Sequence, residues 1–276
     1  MPINETTLVI SAATARALKS ICHQNNEGAS LYNQGKCVEA IPIFMEAMCA
    51  SRTSVEQCLE QVGCKTAVKI CMSLQVLPSQ TAKAPDLAFL SDQSLFPKPF
   101  EIEMNLSDEE ASFHQEIKHC DIVDRDTYLL FSRMSSILIF NFALAHHAVA
   151  ITSTTKGIQT GRQNFLSKAR DLYCVAYKSL QGEDWQEVIN PVLLYLMVQA
   201  ILNNLSRCYA SLDDIENSTA CSELLLKSII LFQQDRRSTF VSGAEGDSNS
   251  NHQYIDLFLK NIMFLILHDP GFAPAA

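Results

Sequence analysis

No glycine-rich phosphate loop, nucleophile elbow or His-Glu-x-x-His helix occurs anywhere in the 276 residues. The usual short signatures of nucleotide, acyl-transfer and zinc-protease chemistry are therefore missing. None of the ten cysteines stands three residues from another, and the loose group Cys58, Cys64 and Cys71 is the nearest to a cluster. Zinc and redox-disulfide sites favour close pairs, so neither a metal nor a cofactor is expected. Positive charge is also scarce. Lys and Arg total 21 against 30 Asp and Glu, a net charge of -9, and the densest basic pair is Arg236-Arg237. Nucleic acid is excluded as the expected partner, because phosphate binding needs clustered cations. The start, Met1 to Glu5, lacks a basic region followed by an apolar core, so no secretory leader is expected. An intracellular protein follows, cytoplasmic or nuclear, and its cysteines are read as small core hydrophobes. The longest apolar run, residues 137–151, is broken by Asn141 and His146-His147. It falls short of the roughly 20 residues that span a bilayer. A buried helix is expected there and no membrane partner.

What is present is a pattern used three times. Asn26, Gly28, Tyr32 and Gly35 precede Ala40, Phe44 and Ala47; Asn141, Ala143 and His147 precede Ala169, Tyr173 and Ala176; Asn204, Ser206 and Tyr209 precede Asp214, Ser218 and Ser222. Each set places an Asn two residues before a small residue, then a ring, then a second helix of alternating small and bulky positions. Hydrophobic content of 47% and charged content of 18% fit a globular chain with a sizeable core. The expected fold is all-α: three antiparallel helix pairs and a C-terminal capping helix, with a short β element within 86–104.

The first pair is expected over about 14–74, its first helix running from Thr14 to Gln34 and ending at Gly35, where a left-handed residue closes the turn. Its return helix carries Ala40, Phe44 and Ala47, with a bend at Pro42 and periodicity to about Leu74, so it is expected to be long or else broken near Ser51 to Ser54. Pro78, Pro85, Pro97 and Pro99 interrupt the pattern, so 76–126 is an irregular insertion. Within it, Phe96 to Met104 suits an edge strand, and Ser107 to Glu110 could cap a helix to Lys118. The second pair occupies about 127–181 around an inserted loop, 152–164, and the third about 190–232, opening at Asn190-Pro191. A flexible loop, 233–251, and a capping helix, about 252–269, complete a single domain.

These residues resemble the tetratricopeptide-repeat (TPR) superfamily, built from helix pairs of about 34 residues. The resemblance rests on Thr14–Met48, Thr127–Leu180 and Pro191–Phe232, best on Gly28, Gly35, Ala40, Phe44 and Ala47. The turn Leu212 to Ile215 and the ending Leu267 to Pro274 also look like a divergent group of TPR-like proteins. The resemblance implies a concave groove, lined by the first helices, that binds an extended or helical peptide. On that basis the chain is expected to be a non-enzymatic scaffold or adaptor with a protein or peptide partner. The groove residues are Asn25, Tyr32, Asn33, Phe140, His147, Asn203 and Arg207, with Arg207 available to a carboxylate. With one cation among these positions, a chaperone-type carboxylate clamp is not expected. The insertion could itself fill the groove, and the apolar helices could instead make the chain a structural subunit.

Candidate chemistry is sparse. Adjacent helical residues point about 100° apart, so His146 and His147 do not share one ligand, and His147 falls at the ring position of the pattern. His119-Cys120-Asp121 lacks the geometry of a nucleophile and base. The asparagines at 26, 141 and 204 are expected to tie helices together through their amides, or alternatively to contact a ligand. Trp185 is expected to plug a gap before the third pair.

Overall fold

The computed structural model describes residues 6–10, 12–60, 68–78, 96, 98–106, 120–154, 159–181 and 191–240. Among these residues six helices dominate: α1 (Ala12–Asn33), α2 (Cys37–Glu60), α3 (Cys120–Thr154), α4 (Gln159–Leu180), α5 (Pro191–Ser211) and α6 (Ile215–Phe240). Three strands accompany them: β1 (Thr6–Ile10), β2 (Val68–Pro78) and β3 (Phe100–Leu106). Each helix packs on the next along the chain, and α1 also meets α3.

The turns explain why the helices pair. After α1, Gly35 has φ 79°; its N–H bonds the Tyr32 carbonyl at 2.9 Å, and the Lys36 N–H bonds that of Leu31 at 3.0 Å. After α5, Asp213 has φ 60°, with the Asp213 N–H on Ala210 (3.2 Å) and the Asp214 N–H on Tyr209 (2.9 Å). Both are Schellman caps, which satisfy the last carbonyls of a helix and reverse the chain. Asp214 then caps α6, its carboxylate accepting from the Asn217 N–H at 3.2 Å.

Small and large residues alternate at the helix contacts. A Cβ added to Gly28 would lie 2.7 Å from Phe44 Cε1, so glycine is what lets α2 approach α1. In the third pair Ser206 and Ser222 replace that contact, their hydroxyls 2.9 Å apart, and Ser206 also bonds the Ser218 carbonyl and hydroxyl. Ala40, Phe44, Ala47, Ala169, Tyr173 and Ala176 are all fully buried, as the shared phase predicts. Leu130–Ser153 of α3 is long and apolar enough to cross a membrane by length and composition, so the shorter reading of this run is corrected. In the fold, 83% of its most apolar window is buried against protein.

Several expected boundaries are revised. The helix expected to reach Leu74 stops at Glu60, and Val68–Pro78 is a strand. Val68, Ile70, Met72, Leu74 and Val76 alternate with Lys69, Cys71, Ser73 and Gln75. That period of two belongs to a strand, and it overrides the helical reading. β1 was not anticipated. The sheet has the order β1-β2-β3 with both pairings antiparallel, Leu8 opposite Ile70 and Val76 opposite Ile102. Helix α3 begins at Cys120 rather than Thr127, α4 begins at Gln159 and shortens the expected loop, and α6 continues to Phe240 rather than ending near 232. Helix α2 continues through Pro42. The expected helices over 107–118 and about 252–269, the loop beyond 240, His119 and Trp185 lie outside the described residues.

Candidate peptide-holding site

The three phased asparagines share one task. Asn26 accepts from the Ile102 N–H at 2.9 Å and donates to the Ile102 carbonyl at 2.9 Å. Asn141 treats Phe100 the same way, at 2.8 Å for both bonds. Asn204 accepts from the Phe96 N–H at 2.8 Å and donates to the Phe96 carbonyl at 3.2 Å. A carboxamide carries one acceptor and one donor group side by side, so it can pair with both backbone groups of a single residue. One such amide stands on each first helix, α1, α3 and α5. Together they hold the segment 96–102 across the array, running from the third pair to the first.

The segment's sequence suits this treatment. Pro97 and Pro99 have no N–H and bias the preceding residues to extended backbone. They fall between the clamped positions, so no clamp loses its donor. From Phe100 the segment becomes β3, where alternate residues turn their backbone groups to opposite edges. Phe100 and Ile102 turn theirs to the helices, while Glu101 lies opposite Leu77 of β2. The amides thus occupy the strand edge that would otherwise offer unpaired groups.

Side chains reinforce the hold. Phe96, Phe100, Ile102 and Phe140 are fully buried, and the Phe140 ring centroid lies 5.1 Å from that of Phe100 and 6.3 Å from that of Phe96. Tyr173 continues this column, 5.7 Å from Phe140 and 6.0 Å from His147. A second layer orients the clamps. Asn25 donates to the Phe100 carbonyl at 2.9 Å and to Asn26 Oδ1 at 3.1 Å, and accepts from Asn141 at 2.8 Å. Asn203 donates to Asn204 Oδ1 at 3.0 Å, and Asn204 donates to the Tyr173 hydroxyl at 3.2 Å.

Of the expected groove residues, Asn25, Tyr32, Asn33, Phe140, His147 and Asn203 are all buried, and Arg207 is half-buried. Asn25 and Phe140 touch the segment directly; Asn203 acts through Asn204; His147 lies one ring further in, behind Tyr173. The Tyr32 hydroxyl has no hydrogen-bond partner among the described residues. Of the two expected roles for the asparagines, the amides do tie α1 to α3 and α5 to α4, but their shared contact is the segment. Sequence reasoning singled out Asn26, Asn141 and Asn204 without naming what they hold. The signal was their spacing on three first helices together with a proline-punctuated aromatic stretch in the insertion.

The neighbouring His147 and Cys208 are unsuited to nucleophilic chemistry. Cys208 Sγ lies 3.5 Å from His147 Nδ1. Burial lowers the imidazole to about 3, with Arg207 adding to the shift, and lifts the thiol well above its usual range. Both partners are held neutral, whereas a reactive cysteine needs its thiolate favoured. His146 is likewise lowered to about 4, chiefly by burial, between the rings of Phe142 and Phe165. Burial also costs Arg207 some of its hold on its proton. Among the described residues no three His, Cys, Asp or Glu side chains converge as metal ligands. No protein-family model, curated protein or solved structure matches the chain, so any functional reading rests on this geometry.

Proposed function

We propose that the protein is a non-enzymatic interaction scaffold, a divergent TPR-like array whose first helices hold an extended polypeptide by its backbone. The observation that supports this reading is the triple amide clamp, in which Asn26, Asn141 and Asn204 each pair with both backbone groups of one residue. Backbone pairing is indifferent to side chains and supplies affinity, while flanking pockets supply selectivity, as in strand-addition complexes. The neutral His147 and Cys208 favour a binding role over a catalytic one. Panning a linear-peptide library against the full chain tests the proposal. Recovered peptides should lose binding to Asn141→Ala while that variant still melts cooperatively. Peptides that ignore Asn141 would count against the groove.

A second reading, a structural subunit, draws on where the large apolar side chains are exposed. Val38 and Met45 on α2, Val175 on α4, and Leu224 and Leu231 on α6 all belong to the second helices. If those residues seat a permanent partner, polar substitution at Leu224 and Leu231 should abolish recovery of the complex and leave Asn141→Ala complexes intact.

A further inference from the structure

The segment in the clamp is itself a description of what the clamp selects. Four of its described residues are buried: Phe96, Pro99, Phe100 and Ile102. Lys98 and Glu101 between them are only partly covered. The amides take hold at Phe96, Phe100 and Ile102, and the Phe140 ring receives both phenylalanine rings. Four residues of extended chain cover about 13 Å and two cover about 7 Å, so spacing as well as side-chain shape is set by the three helices.

Resting on the groove reading above, we infer that the protein takes from another protein a linear peptide with the pattern of residues 96–102, in exchange with that segment. The pattern is an aromatic residue, a second aromatic four positions later and an aliphatic residue two beyond that, with proline just before the second aromatic. The peptide enters in the direction from α5 to α1. Proline lowers the ordering cost of an extended ligand, so a partner segment with this punctuation has an advantage over a more flexible one. The protein's own segment then acts as a resident competitor that only a peptide matching its pattern displaces.

Fluorescence anisotropy with two labelled synthetic peptides, Leu-Phe-Pro-Lys-Pro-Phe-Glu-Ile-Glu and the same peptide with both phenylalanines replaced by serine, tests this on the full chain. The proteins are the wild type and the double variant Phe96→Ser/Phe100→Ser, which weakens the resident segment. The patterned peptide should bind the double variant at least tenfold more tightly than it binds the wild type. It should also bind at least tenfold more tightly than the serine peptide, and should raise the variant's melting temperature. A double variant that lacks a cooperative melt alone but regains one with the patterned peptide supports the exchange equally. Equal binding of the two peptides would overturn the pattern and leave the backbone clamp standing. Failure of both to bind, or to restore the melt, would overturn the clamp as a binding site as well, making 96–102 an inseparable part of the core. Sedimentation of the wild type as a dimer that exchanges segments would overturn the assignment to a separate partner.

Discussion

At the scale of single residues, the contact of Gly28 with Phe44 sets how closely the first two helices pack. Phe44 is fully buried and has no room to yield to a Cβ at 2.7 Å. Gly28→Ala should destabilise the fold by about 1–3 kcal/mol through overpacking. Phe44→Ala should cost about 3–5 kcal/mol through the cavity it leaves. Urea titrations read both, and an unchanged midpoint for either would refute the contact. His146 makes the opposite prediction. Neither of its ring nitrogens has a hydrogen-bond partner among the described residues, and Phe142 and Phe165 flank it with ring centroids 4.6 Å and 5.6 Å away. Its folded value of about 4 lies below its ordinary value of 6.5, so the unfolded chain binds the proton first. Stability should therefore fall as pH drops from 6.5 towards 4, by about 1.4 kcal/mol per pH unit for each such histidine at the steepest. His147, at about 3, extends the same loss further down. His146→Phe should match the wild type at pH 7 and show a shallower loss between pH 6.5 and 4. An identical pH slope in that variant would place the titration elsewhere.

At the scale of elements, the two Schellman turns offer a paired test of opposite sign. Gly35 has φ 79° at no steric cost, whereas Asp213 holds φ 60° with a side chain. Gly35→Ala should destabilise by about 1 kcal/mol and Asp213→Gly should stabilise by up to about 1 kcal/mol. Thermal melts that move both variants the same way would contradict this account of the turns. The same elements show what could be read in advance. Gly35, Ala40, Phe44 and Ala47, matched by Ala169, Tyr173 and Ala176, announce helix pairs because helical contact surfaces repeat every three to four residues. β2 was legible too, in the alternation from Val68 to Val76, but a weak helical periodicity in the preceding residues masked it. The clamp was only half legible. Asn26, Asn141 and Asn204 repeat visibly, yet Phe96, Phe100 and Ile102 are local neighbours of no first helix. Hydrogen bonds across 41 to 108 residues of chain leave no periodic trace. Proline punctuation hinted at an extended stretch without saying which wall would receive it.

At the scale of the whole molecule, exchange with a partner's peptide requires that 96–102 occupy its groove as a ligand would and leave it while the helices stay folded. A segment able to do so opens as a unit below the free energy of global unfolding. Native-state hydrogen exchange at the amides of Phe96, Phe100 and Ile102 measures this directly, beside core amides of α3 such as Leu144. The three amides should be protected relative to the free peptide and share one opening free energy, lower than that of Leu144. Exchange at free-peptide rates would contradict the clamp, and exchange only through global unfolding would contradict the ligand-like segment.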